Sequence, residues 1–148
     1  IRELATMAEA IIGAVLLPGA KTPKLITRDM FPAMKQGAVM VDVAVDQGGC
    51  FETSRPTTHK HPVFEVDGIL HYCVTNMPGA VARTSTFALT NATLPYVMKL
   101  AEKGFRQALL DDSGLRNGLN VARGAVTCRA VADNLGYAWV DPDQLLKL

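Results

Sequence analysis

The sequence has 148 residues, 49% hydrophobic and 20% charged, which suits one globular domain with a buried core. Fifteen Lys and Arg against fourteen Asp and Glu give a net charge of +1, so no basic excess points to nucleic acid or a membrane surface. Three cysteines without close pairs argue against a disulfide framework and favour a reducing, cytoplasmic location. The longest apolar run, residues 10–17, is too short to span a membrane. The first residue is Ile1 rather than Met, which suggests a piece of a longer protein.

Short apolar runs alternate with polar turns in the first half of the chain. Residues 1–10 are typical of the end of a helix, and the β-branched run 11–17 predicts a strand. A short helix over 29–34, a second strand over 38–45, a polar loop over 50–67 and a third strand over 69–74 follow. This order is typical of a parallel α/β sheet. We therefore expect the three strands to be adjacent, parallel and buried on both faces.

The second half of the chain is predicted to be mainly helical and to leave the sheet. Residues 84–103 have helical length and pattern, with Pro95 expected to bend the helix and Gly104 to end or break it. A second helix is predicted over 105–110, an extended segment over 119–126, and a final helix over 127–135 that ends at Gly136. Apolar residues surround most of the long helix, so we expect it to be buried on several sides.

Three loops follow the predicted strands, at the edge where open parallel sheets bind ligands. They span residues 15–19, 43–49 and 74–79, and each combines apolar residues with a Pro-Gly or Gly-Gly pair. Such loops serve either as an apolar wall against a flat ring or as simple chain reversals.

Asp46 is the one carboxylate at this predicted edge. It is suited to accept a proton or to hold a hydroxyl group or water, and equally to close an Asx-turn on Gly48 or Gly49. Asp42 lies inside the predicted strand, where we expect it to bond a neighbouring backbone or side-chain group.

The polar loop holds further candidates for chemistry. His59 and His61 flank Lys60 and could bind a metal, but no third ligand is evident, so no metal site is predicted. Arg55 has the planar fork that suits a phosphate or carboxylate, or it is simply exposed. Cys73, in an apolar strand, is expected to be buried and unreactive. No G-x-G-x-x-G turn, P-loop, nucleophile elbow or H-E-x-x-H motif occurs.

Three longer motifs carry a family resemblance. They are I-I-G-A-V-L-L-P-G-A-K-T-P-K-L, V-D-V-A-V-D-Q-G-G-C-F-E-T-S-R-P-T-T and N-M-P-G-A-V-A-R-T-S-T-F-A-L-T-N-A-T-L-P-Y. On these motifs, residues 1–135 resemble the C-terminal part of L-alanine dehydrogenase. The related proton-translocating transhydrogenase has a loop similar to A-A-E-x-G-G-N, so the D-Q-G-G-C-F-E run favours alanine dehydrogenase.

The resemblance implies an α/β fold in two parts. Residues 1–83 would be the C-terminal half of a Rossmann-like NAD-binding domain, and residues 84–148 a long helix and helical segment of a missing substrate domain. The implied activity is the reversible NAD-dependent oxidation of L-alanine to pyruvate and ammonium, with hydride transfer from the alanine Cα to nicotinamide C4 and hydrolysis of the imine. The implied partners are the N-terminal portion of the same enzyme and further copies in a homo-hexamer.

The resemblance also assigns residues. Asp46 matches the family's catalytic aspartate, which works with a histidine of the other domain. The implied contacts with NAD fall on Val15, Leu16, Val43, Ala44, Val45, Asp46, Arg55, Val74, Thr75, Asn76 and Met77. Some members bind magnesium through an acid and a histidine on the long helix, where this chain has Lys99 and Lys103, so no metal is carried over.

Two alternatives to this function stay open at the level of sequence. One is a non-catalytic nucleotide-binding fragment that needs a partner. The other is the NAD-binding domain of a transhydrogenase.

Overall fold

The computed structural model describes residues 1–147, which form two compact units. The sheet unit comprises Ile1–Leu17 and Lys21–Ala80. The helical unit comprises Pro18–Ala20 and the chain from Val81 onward.

The sheet unit is built on four short strands. Its elements are helix α1 (Arg2–Met7), strands β1 (Ala10–Gly13), β2 (Val39–Asp42), β3 (Val63–Val66) and β4 (Ile69–Tyr72), and 3-10 helices at Arg28–Ala33, Val45–Gln47 and Met77–Val81. The strand order is β1-β2-β4-β3. Strand β2 pairs in parallel with both β1 and β4, whereas β3 pairs antiparallel with β4.

The prediction of three adjacent parallel strands is confirmed, but the strands are shorter than predicted. Residues 14–17 and 43–45 lie outside them, because the chain turns away after Gly13 and Asp42. The expected burial on both faces is wrong. Ile12 is 70% exposed although Met40, on the opposite face, is fully buried. Side chains alternate between the two faces of a strand, and on the face of Ile12 the side chains of Val41, Leu70 and Tyr72 are only half-buried.

The prediction of one polar loop over residues 50–67 is also wrong, because strand β3 lies within it. A tight turn joins β3 to β4 through Asp67 and Gly68, whose φ angles are 51° and 79°. Positive φ angles at both central residues define the type I′ hairpin turn, which the dipeptide Asp-Gly favours. This dipeptide was the available signal for an antiparallel edge strand.

The core of the sheet unit lies on the covered face. Met40 is paired in register with Ile11 on one side and with His71 on the other, and Phe64 lies across from His71 on β3. The buried hydrophobic cluster comprises Ala5, Ile26, Phe31, Met34, Ala38, Met40, Ala44, Cys50, Phe51 and Ile69.

The helical unit follows the prediction with several differences. It contains α2 (Ala82–Asp111), α3 (Ser113–Asn117), β5 (Val121–Ala122), β6 (Ala125–Val126), α4 (Arg129–Leu135) and α5 (Pro142–Lys147). Gly104 breaks α2 with φ 70° and ψ 158°, as predicted, and Gly136 ends α4 in the left-handed conformation. The helix predicted from residue 127 starts at Arg129 instead, because the backbone of Cys128 is extended, with φ −86° and ψ 114°. Helices α3 and α5 were not predicted.

The long helix α2 exposes large apolar side chains along its length. Phe87, Leu89 and Val97 are 59%, 66% and 55% exposed. The burial that we expected for this helix is therefore not supplied by the described residues. No helix of residues 1–147 has the length and apolar content needed to cross a membrane.

Candidate functional site

The candidate site lies at the carboxyl edge of the parallel strands. The Gly13 carbonyl, at the end of β1, accepts a hydrogen bond from the Val43 N–H at 2.7 Å, just after the end of β2. Because β2 is also the parallel neighbour of β4, the loops that follow these three strands leave the same edge. These are the three loops that were predicted from the sequence to lie at the ligand-binding edge.

Gly13 permits a close approach beneath this edge. A Cβ at this position would lie 2.1 Å from the Cys50 Sγ and 2.7 Å from the Phe51 Cζ. Both of those side chains are buried, with exposed fractions of 0% and 1%. Only glycine therefore lets β1 pack against the segment that follows the second loop.

The second loop carries Asp46 on a single 3-10 turn, Val45–Gln47. Gly48 ends the turn with φ 95°, a left-handed conformation that glycine adopts without strain. Val45 is buried and Asp46 is exposed, so the turn holds one side chain in the core and the next in solvent. Asp46 therefore has the accessibility that a proton acceptor needs.

Asp46 also joins the second loop to the third. The Asn76 N–H donates to the Asp46 Oδ2 at 3.5 Å. Asn76 has a φ of 53°, a conformation that asparagine tolerates better than most residues. His59 supports the same loop, since its Nε2 lies 3.0 Å from the Asn76 carbonyl oxygen.

The remaining residues predicted to contact NAD divide by exposure. Leu16 and Val43 present apolar side chains that are 61% and 51% exposed. The side chains of Ala44, Val45 and Val74 are buried, so a ligand at this edge could meet only their backbone atoms. Asn76 is exposed, whereas Val15, Thr75 and Met77 are half-buried.

Arg55 takes a different position from the three loops. Its guanidinium carbon lies 4.2 Å from the centre of the Phe64 ring, which stacks on the His71 ring at 4.7 Å. The buried His71 contacts the Ile69 carbonyl oxygen through Nδ1 at 2.9 Å and the Thr53 hydroxyl through Nε2 at 2.7 Å. Burial lowers the pKa of His71 below its ordinary value, which favours the neutral ring.

The cysteines of the sheet unit are buried. Burial raises the pKa of the Cys50 thiol to about 11 and also raises that of Cys73. Since the thiolate is the reactive form, both are poor nucleophiles, and the expectation that Cys73 is buried is confirmed.

Metal ligation finds no support among residues 1–147, where no group of three His, Cys, Asp or Glu side chains could hold an ion. Lys99 and Lys103 form ion pairs with Asp112 and Asp111. His59 and His61 are exposed in their loop.

The contacts that Lys24 makes with the second loop were not predicted. Lys24 donates to the carbonyl oxygens of Gly48 and Gly49 at 2.6 and 2.8 Å, and no pattern in the sequence marks it for this role. Asp42 is fully buried and accepts hydrogen bonds from the second loop, which confirms the expectation that it bonds neighbouring groups.

Together the fold and the edge define a class of domain: a Rossmann-like α/β sheet whose candidate site lies at the carboxyl ends of its parallel strands. The chain belongs to the family described as alanine dehydrogenase/PNT, C-terminal domain, whose model matches residues 1–129. The resemblance drawn from the motifs is therefore confirmed.

Individual relatives agree with this assignment. The chain is 60% identical over 146 residues to an alanine dehydrogenase of Halomonas elongata, covering 99% of this chain and 39% of the relative. It is 55% identical to an alanine dehydrogenase of Mycolicibacterium smegmatis, with the same coverage. The chain thus spans about two fifths of the length of these curated relatives.

Solved structures show the same relationship. A structure of L-alanine dehydrogenase matches with a TM-score of 0.74 and 48% identity, over 91% of this chain and 37% of that one. A transhydrogenase from Sinorhizobium meliloti matches with a TM-score of 0.53 and 32% identity, over 58% of this chain and 25% of that one. The likeness to alanine dehydrogenase is therefore greater in both coverage and identity.

Proposed function

We propose that this chain is the C-terminal portion of an NAD-dependent L-alanine dehydrogenase, with Asp46 as its catalytic carboxylate. The observation that carries the proposal is the exposed Asp46 side chain at the carboxyl edge, with its Oδ2 3.5 Å from the Asn76 nitrogen where the loops after β2 and β4 meet. The names of the relatives supply the substrate, since they are alanine dehydrogenases at 60% and 55% identity. The transhydrogenase alternative has less support, because that likeness covers 58% of the chain.

The residues at the edge suit a nicotinamide. Its flat ring needs apolar surface, which the exposed Leu16 and Val43 offer, and its carboxamide needs a polar partner such as the exposed Asn76 side chain. When bound, NAD accepts the hydride from the alanine Cα. Arg55 would join this site by leaving its place over Phe64.

Asp46 would act on the imine that this oxidation leaves. We infer that its carboxylate holds a water molecule and takes a proton from it as the water adds to the imine carbon. This proton then passes to the amino group of the resulting carbinolamine. The C–N bond breaks as the C=O bond forms, and the hydroxyl proton passes to the departing ammonia, which leaves pyruvate and ammonium. The same steps in reverse would make L-alanine.

The test is Asp46→Asn in a protein of the relatives' full length that carries this chain. Asparagine keeps the shape of the side chain but cannot take the proton, so turnover should fall by about 10²–10⁴-fold. The KM for NAD should change little. Asp67→Asn is the matched control, because it neutralises an exposed acid in the β3–β4 turn, where asparagine tolerates the positive φ. Unchanged turnover in Asp46→Asn would refute the catalytic role. The alternative of an Asx-turn is wrong, since the Gly48 and Gly49 N–H groups donate to the Val45 and Ala44 carbonyls at 3.1 and 3.0 Å rather than to Asp46.

We further propose that residues 1–148 alone do not oxidise alanine. Catalysis needs the substrate held in register with the nicotinamide, and the chain spans only 39% of the relatives' length. NADH formation from L-alanine and excess NAD should therefore be absent with this chain and should appear once the remaining portion is added. Alanine-dependent turnover by the chain alone would contradict the proposal.

The remaining proposals concern the organisation of the complete protein. Residues 1–83 would belong to the NAD-binding domain and residues 84–148 to the substrate domain, in a homo-hexamer that serves L-alanine catabolism. The free cysteines support a reducing, cytoplasmic compartment. Size-exclusion chromatography with light scattering tests the hexamer.

A further inference from the structure

The Asp42 carboxylate is fully buried and accepts its hydrogen bonds from the loop that carries Asp46. The Ala44 N–H donates to its Oδ1 at 3.0 Å, and the Cys50 N–H donates to its Oδ2 at 2.9 Å. The Ser54 hydroxyl donates to the same Oδ2. One side chain thus holds both ends of the segment 44–50 from inside the sheet unit.

The carbonyl groups of the same turn are held from its other side. The Thr22 N–H donates to the Gln47 carbonyl at 3.2 Å. The ammonium group of Lys24 contacts the carbonyl oxygens of Gly48 and Gly49. Lys24 therefore pairs with backbone groups that the turn itself leaves without partners.

The turn is shaped closely around the carboxylate. A Cβ on Gly49 would lie 2.7 Å from the Asp42 Oδ2, so the backbone approaches the oxygen as only glycine allows. The Oδ2 already has two donors, Cys50 N–H and Ser54 hydroxyl. Asparagine has one oxygen and one NH₂ group in place of the two carboxylate oxygens. Whichever position the NH₂ group took, the donors that bond to the oxygen there would lose their acceptor.

From this geometry we propose that Asp42 is a positioning residue for the reaction: its carboxylate fixes the turn 44–50 and thereby the place of Asp46. Asp42 itself lies inside the protein and does not touch the substrate. The inference rests on the proposed role of Asp46. It distinguishes two aspartates four residues apart, one that meets the substrate and one that holds the first in place.

The kinetic test uses Asp42→Asn, Asp46→Asn and the double variant in the protein of full length. Displacing a reacting group by about 1 Å costs on the order of 10²-fold in rate, so Asp42→Asn should lower kcat by that amount with little change in the KM for NAD. In the Asp46→Asn background, Asp42→Asn should lower kcat no further, because it acts through Asp46. Equal losses in both backgrounds would overturn the proposal.

The stability control is Ile69→Ala, which opens the buried core at β4 away from the turn. It should lower the melting temperature while leaving kcat per folded enzyme unchanged. If Ile69→Ala lowers kcat as much as Asp42→Asn at a comparable melting temperature, the effect of Asp42 is general destabilisation and the proposal fails.

A measurement without catalysis separates this proposal from the proposed function. Hydrogen exchange of the peptide that covers residues 43–50 should be about tenfold faster or more in Asp42→Asn, with Ile69→Ala as the reference. Unchanged exchange overturns the positioning role whatever the activity. Faster exchange with no loss of kcat in Asp46→Asn supports the hold on the turn but refutes the catalytic role of Asp46.

Discussion

Gly13 offers a direct test of the packing beneath the candidate site. In Gly13→Ala the new Cβ would lie 2.1 Å from the Cys50 Sγ, about 1.4 Å short of the separation of roughly 3.5 Å at which such atoms pack best. It would also lie 2.7 Å from the Phe51 Cζ. Both neighbours are buried, so neither can swing into solvent. Overpacking commonly costs about 1–3 kcal/mol, and we expect a loss at or above the upper end.

The assay is urea unfolding of the 148-residue chain, followed by circular dichroism, for Gly13→Ala, Cys50→Ala and the double variant. Removing the Cys50 sulfur relieves the shorter contact but leaves that with Phe51. The double variant should therefore be more stable than the two single losses predict, by about 1 kcal/mol or more. Gly37→Ala is the control, since its Cβ would meet no atom within 4 Å and it tests only the strain of a φ of 76°.

Two results would refute this reasoning. One is that Gly13→Ala loses no more stability than Gly37→Ala, because the close approach to Cys50 and Phe51 would then not contribute to the free energy of unfolding. The other is simple additivity in the double variant, since the strain would then not arise at Cys50.

Three further perturbations test other parts of the chain. Because burial lowers the pKa of His71, the ring in the unfolded chain binds a proton at a higher pH than the ring in the folded chain. The unfolding free energy should therefore fall below pH about 6.5, by up to about 1.4 kcal/mol per pH unit. His71→Gln should remove this pH dependence, and an equal dependence in both proteins would contradict the prediction. Because burial raises the pKa of the Cys50 thiol to about 11, Cys50 should resist a thiol reagent at pH 8 that labels the half-buried Cys128. Peptide mass spectrometry identifies the labelled cysteine. Labelling of Cys50 in the folded chain would contradict the prediction. Gly104→Ala places a side chain at φ 70° and ψ 158° and should destabilise the helical unit by about 1–3 kcal/mol. Its melting temperature should be lower than that of Gly136→Asn, a substitution that the left-handed conformation tolerates. Equal melting temperatures would argue against strain at Gly104.

Local patterns in the sequence were sufficient to predict three adjacent parallel strands, but not the antiparallel strand β3. The three apolar runs are short and rich in β-branched residues, and the segments between them are long enough for parallel connections. Strands that run parallel must end at one edge, so the positions of Asp46 and the three loops followed from the strand prediction alone. The hairpin turn at Asp67 and Gly68 could also have been predicted from the sequence, because few dipeptides suit two consecutive positive φ angles.

Contacts between distant segments decided what the local patterns left open. Full burial of one sheet face and partial burial of the other, with Ile12 exposed, depend on which segments cover the sheet. An apolar run has the same pattern whether or not its second face is covered. The bonds of Asp42 to Cys50 and of Lys24 to Gly48 and Gly49 join residues 8 to 25 positions apart. Sequence showed a carboxylate and an ammonium group at these positions, but only the path of the backbone determined which groups they reach. The tertiary structure therefore decided how Asp46 is held, whereas the sequence by itself determined that an aspartate stands at the edge.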